Sequence, residues 1–221
     1  MVVAPNKYHV PPTALIPNSP YPLLHYPGLL SDRCAASPNA AAVHCHGLLS
    51  ANGWQTQWAV RYGATQTSHY HSGTHECMVV LSGAATIRFG VADTVADLEL
   101  STNGPGREAG GIEIRAEAGD VFVLPAGLAH KTFHPVPEAS LAILTPSDGH
   151  SFDGKSAEDT LATIDVSGFT MMGAYPVGSR AWDFAKGGDH VGSFEKVWAV
   201  AKPTKDPMLG EAEEGLKGAW V

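Results

Sequence analysis

The stretch G-A-T-Q-T-S-H-Y-H-S-G-T-H-E-C-M-V-V-L-S-G, residues 63–83, decides how this chain is read. His69 and His71 stand one residue apart, and Glu76 follows five positions after His71, among residues of strand character. A β-strand rises about 3.3 Å per residue and sends alternate side chains to one face. His69 and His71 then point the same way, their bases roughly 6–7 Å apart, which lets two imidazoles converge on one ion. The turn S-G-T-H reverses the chain, so Glu76 enters the neighbouring strand on the same side. A further candidate, His130, closes G-D-V-F-V-L-P-A-G-L-A-H (119–130) behind a P-A-G turn that returns it to the same mouth. Three neutral imidazoles and one carboxylate suit a divalent first-row metal, whereas calcium and magnesium favour all-oxygen shells.

Each residue also has a plainer reading. His69 and His71 would be polar residues on a wet strand face, and Glu76 an ion-pair partner of Arg61 or Arg88. The glycine frame and the carboxylate together favour ligation. His75 neighbours Glu76 and so faces the opposite side, which implies a structural or supporting role. His134 lies four residues after His130, on the same strand face, and with Glu76 is a candidate acid–base residue lining the cavity. Cys77 points away from the ligands as a small buried hydrophobe. Tyr62, Phe89, Phe122, Phe133, Met78 and Met172 are of the type that lines a small barrel, with core packing the better reading for each.

The spacings G-x5-H-x-H-x4-E-x6-G and G-x5-P-x-G-x2-H resemble the two motifs of the cupin superfamily. The second motif usually ends in Asn where this chain has His134. The phrases I-P-N-S-P-Y-P-L-L (16–24), A-N-G-W (51–54), H-Y-H-S-G-T-H-E (69–76), G-A-Y-P (173–176) and W-D-F-A-K-G-G (182–188) are similar to the YjlB-like family of single-domain, RmlC-like cupins. That resemblance implies an all-β fold, a double-stranded β-helix or jelly-roll barrel with a metal site.

Outward from the motifs, residues 1–53 read as a proline-rich extended arm followed by a short helix, 54–180 as the barrel, and 181–221 as a short helix and tail. Seven prolines between Pro5 and Pro27 exclude helix there. Ser37-Pro38 opens a helix, with a capping serine and proline at the first helical position, and Asn52-Gly53 ends it. His44 and His46, two apart in this helix, fall on different faces, which argues against a shared metal. Strands are expected at 57–62, 76–82, 84–89, 95–100, 112–117, 121–125, 130–134 and 140–145, with 169–176 closing the barrel. A polar insertion at 147–162 is expected as a lid or excursion. A terminal helix should bury Phe194, Val197 and Trp198, and Trp220 should anchor the tail.

With 221 residues, 44% hydrophobic and 16% charged, the chain fits one globular domain. Its net charge of −8 argues against nucleic acid and anionic membrane as partners. Three cysteines give no disulfide framework, and the opening prolines break any signal-peptide apolar core, so a cytoplasmic protein is expected. The arm and the tryptophan tail suggest a homodimer. The expected cofactor is one divalent transition metal (iron, manganese, nickel, zinc or copper), which the ligand set does not choose between. The favoured function is a metal-dependent enzyme of dioxygenase, decarboxylase or isomerase type, acting on a small oxygen-rich organic substrate. The alternatives are a non-catalytic ligand-binding or storage-like cupin and a metal-free RmlC-type epimerase using a His and a Tyr.

Overall fold

The structure is a computed structural model that describes residues 4–145, 156–179 and 183–221. In chain order the elements are β1 (Asn6–Tyr8), β2 (Leu23–Tyr26), α1 (Ser31–Ala36), α2 (Pro38–Ala51), β3 (Trp54–Arg61), β4 (Glu76–Ser82), β5 (Ala84–Phe89) and α3 (Leu98–Asn103). They continue with β6 (Ile112–Glu117), β7 (Val121–Leu124), β8 (His130–Val136), β9 (Ala142–Ile143), α4 (Ala157–Leu161), β10 (Thr170–Pro176), α5 (Phe194–Trp198) and α6 (Leu216–Ala219). A seven-stranded antiparallel sheet, in the order β1-β2-β7-β4-β10-β3-β9, packs against a three-stranded one, β6-β5-β8. Among the described residues no named strand of one sheet pairs with a named strand of the other, so the jelly roll is an open sandwich.

The period of two sorts the large sheet between two cores. On β4, Cys77, Val79 and Leu81 join the outer core under α2, while Met78 and Val80 join the inner core between the sheets. On β7, Val121 and Val123 turn outward and Phe122 and Leu124 inward. Glu76 therefore begins β4 on the inner side. Met78, Phe89 and Phe122 lie in the inner core and Met172 in the outer one. The capped helix is present: Ser37 accepts from the Ala40 amide at 3.3 Å, and Pro38 occupies its first turn.

Three expectations need correction. Residues 95–100 do not form a strand. Asp97 caps α3 by accepting from the amides of Glu99 and Leu100, and Leu98 and Leu100 stay exposed. The outer face of the small sheet holds this helix by its end: Arg88 donates to the carbonyls of Ser101 and Thr102, and Lys131 to Ser101 Oγ. Cations at helical carbonyls are favourable, so a local capping signal and a distant basic pair override the alternation. Strand β10 does not close a barrel; it runs in the middle of the large sheet, between β3 and β4. Of the stripe on α5, Val197 is buried but Trp198 is half-exposed, its indole N–H bonded to the carbonyls of Pro17 and Asn18.

The N-terminal stretch is built in. β2 pairs with β7, and Leu24 and Tyr26 belong to the outer core. Trp220 is fully buried on its own chain, donating to the Pro22 carbonyl and stacking on Tyr21. Of the expected insertion, 146–155 lie outside the described residues. The rest forms α4, which Asn39 holds to α2 through the carbonyls of Leu161 and Ile164.

Candidate metal centre

One end of the sandwich gathers His69, His71 and His130, all buried, with one ring nitrogen from each within 4.8 Å of the others. The histidine segment and the start of β8 meet directly: His69 and His130 exchange both backbone hydrogen bonds, at 2.8 and 3.2 Å. The P-A-G turn sets this register. Gly127, at φ +87°, donates to the His71 carbonyl, and a Cβ there would lie 2.7 Å from the Asn18 carbonyl oxygen. Only glycine fits such a position.

The hydrogen bonds assign the tautomers. His69 Nδ1 donates to the Thr67 carbonyl at 3.1 Å, His71 Nδ1 to the Asp183 carbonyl at 2.5 Å, and His130 Nδ1 to the Leu128 carbonyl at 3.4 Å. With the Nδ1 protons so placed, the Nε2 lone pairs turn to the centre. Glu76 faces two of them, Oε1 at 3.4 Å from His71 Nε2 and Oε2 at 3.5 Å from His130 Nε2. Tyr175 donates to Oε1 at 3.2 Å and in turn accepts from the Trp58 indole at 3.0 Å. Oε2 is buried with no hydrogen-bond partner. Lone pairs facing a carboxylate repel unless a cation lies between them, so this donor set fits a metal ion. A buried triad of this kind can hold one.

The titration tendencies report the same crowding. Burial, then the neighbouring imidazoles, holds His69 well below the usual histidine range, and burial lowers His130 despite the pull of Glu76. Burial also pulls His71 down, but the negative charge of Glu76 and the Asp183 carbonyl outweigh it and raise it, so a positive charge is favoured between His71 and Glu76. Burial would raise Glu76; His71 and His130 overcome this and keep it ionised below the usual carboxylate range.

Above this floor is a cavity of about 170 Å³. Its walls are Trp58, Val60, Tyr62, Leu141, Ile143 and Phe184, and Phe184 stacks on His69 with ring centres 3.6 Å apart. Trp58 lies against β10 because position 173 is glycine; a Cβ there would sit 2.1 Å from the indole.

The other sequence candidates sit elsewhere. His134 is exposed, with φ +52° and its amide bonded to the Ala64 carbonyl; the strand irregularity turns it off the face that His130 uses. His75 points away from the cluster: its Nδ1 accepts from the Ala126 amide and its Nε2 donates to the Ala201 carbonyl, and burial lowers it to about 4. Arg61 and Arg88 pair with Asp165 and Glu113, not with Glu76. Phe133 lies under the Arg88 guanidinium at 4.6 Å. Sequence reasoning missed Tyr175, Trp58, Gln66, Asp183 and Phe184. Asp183 also receives the Ser72 amide and hydroxyl on its carboxylate, which ties the C-terminal segment to the histidine strand.

No family model matches the chain. It is 26% identical over 219 residues to the uncharacterized protein YjlB of Bacillus subtilis (strain 168), covering 98% of this chain and 96% of that protein. Among solved structures, it is similar to oxalate decarboxylase of Bacillus subtilis, a structure described for its Mn(II) centres (13% identity, 74% of this chain and 28% of that one, TM-score 0.32). It is also similar to procruciferin, an 11S globulin of Brassica napus (11% identity, 55% and 20%, TM-score 0.27). The chain spans between a fifth and three-tenths of these two solved chains. By sequence it is YjlB-like along nearly its whole length.

Proposed function

We propose that this pocket is a metal centre with His69, His71, His130 and Glu76 as ligands, and that the protein is a metal-dependent enzyme acting on a small oxygen-bearing organic molecule. The observation that carries the reading is a cluster of three backbone-anchored imidazoles, two of which face a buried carboxylate whose Oε2 has no hydrogen-bond partner. A divalent transition ion there would supply a Lewis acid, and redox chemistry if it is iron, manganese or copper. The chain's own residues do the rest. The carbonyls of Thr67, Asp183 and Leu128 fix the imidazole orientations, and Tyr175 holds Glu76 Oε1. The aromatic and aliphatic walls keep the floor dry, which strengthens any charge interaction there. The Glu76 carboxylate, held ionised, is the acid–base group within reach of a bound molecule.

A second reading has one observation of its own: Tyr175 Oη lies 3.4 Å from His71 Nε2, the His–Tyr pair that a metal-free epimerase would use as base and acid. Elemental analysis of untagged protein beside a His69→Ala/His71→Ala variant separates the two. The metal reading expects close to one transition ion per chain in the parent and none in the variant, both folded by circular dichroism. Equal metal content in the two overturns the ligand set. An absence of metal even after reconstitution overturns the centre and favours the His–Tyr pair.

A further inference from the structure

The floor of the cavity is accounted for by the proposed metal site; its walls are not. Gln66 borders the same cavity, and its side-chain Nε2 is buried with no hydrogen-bond partner. A buried amide donor left unpaired is unfavourable, and native structures rarely keep one without a use. Other residues of the lining have the reverse character. Leu141 is 67%, Ile143 56% and Phe184 48% exposed, although each borders the pocket. Large apolar side chains at a mouth lose water only when something apolar enters.

We propose that Gln66 is a specificity-determining residue of the pocket. It donates from its amide to an acceptor oxygen on a small ligand whose apolar body lies against Val60, Leu141, Ile143 and Phe184. The ligand class is therefore a compact organic acid or enol with a hydrocarbon or aromatic body, not a small diacid that is polar throughout. This deepens the proposed metal centre and rests on it for the floor of the site. The cavity's volume of about 170 Å³ suits a body of about one ring.

The test is isothermal titration calorimetry with benzoate as the apolar-bodied probe and oxalate as the polar one. Both are titrated into metal-loaded wild type, Gln66→Leu and Gln66→Glu, with metal content and thermal melting measured on each sample. Benzoate is expected to bind wild type at least about tenfold tighter than oxalate, as hydrocarbon burial predicts. Gln66→Leu should weaken benzoate about five- to tenfold, the worth of one hydrogen bond, with metal content and melting unchanged. Gln66→Glu keeps the length but removes the donor, and should weaken benzoate at least as much. Three results overturn the inference: undiminished benzoate affinity in Gln66→Leu, oxalate binding as tightly as benzoate, or no benzoate binding to metal-loaded wild type. A wild type that takes up no metal breaks the metal reading instead, and the Gln66 dependence is then read on the metal-free protein.

Discussion

Two buried carboxylates do opposite things in this fold. Asp206 is fully buried and fully satisfied: Oδ2 accepts from the Tyr26 hydroxyl and the Leu216 amide, and Oδ1 from the amides of Met208 and Leu209. It clips the C-terminal turns to β2. Glu76 is just as buried, yet it has one hydroxyl donor, an oxygen without a hydrogen-bond partner and two imidazoles whose lone pairs face it. A carboxylate surrounded by donors is a fastener. One that faces lone pairs suits a cation.

The sharpest way to break this comparison is to remove each carboxylate in turn. Asp206→Ala leaves a phenol and three amides without their acceptor, and should cost on the order of 4 kcal/mol in urea unfolding while the folded fraction still binds metal. A loss below about 1 kcal/mol would deny Asp206 its fastening role. Tyr26→Phe removes only the hydroxyl donor to this ion and should cost about 2 kcal/mol in the same measurement. Glu76→Gln should do the reverse. Metal affinity, read by competition with a chelator, should fall tenfold or more, equivalent to about 1.4 kcal/mol, with no loss of stability in the metal-free protein. Unchanged affinity would remove Glu76 from the ligand set.

Tyr175→Phe completes the matched pair with Tyr26→Phe. It should change stability by less than about 1 kcal/mol and register instead as weaker metal binding, since the hydroxyl holds a proposed ligand. The smallest effect concerns a third acid, Asp120. Burial alone would raise it, but His25 and the amides of Gly28 and Glu117 hold it below its ordinary 3.8. Its folded pKa is thus depressed, so the stability it contributes is present above that value and is lost as pH falls through the folded pKa. Asp120→Asn should flatten the acid limb of a stability-versus-pH curve below about pH 4 and leave metal content unchanged. An unchanged acid limb would show that its partners do not favour the ionised form.

Much of the architecture is legible in the chain because it depends on near neighbours. The capping serine and proline at 37–38, the strand at 76–82 and the strand at 112–117 fall where local chemistry puts them. The same-face logic for His69 and His71 and the outward turn of Cys77 follow from a period of two. That logic fails where the backbone leaves the pleat: at His134 a positive φ turns the side chain away from His130.

By itself, then, the sequence determined the strand and helix periods, the two histidine motifs and the side of β4 on which Glu76 emerges. Only the tertiary structure decided what surrounds that carboxylate. Tyr175 reaches Glu76 across 99 residues of chain, and the Asp183 carbonyl reaches His71 across 112. It also held residues 98–103 as a helix through Arg88 and Lys131, and left the Gln66 amide unpaired beside a cavity with apolar walls. Periodicity reports which face a residue occupies. Whether the groups opposite donate or accept is set by strands brought together from far along the chain.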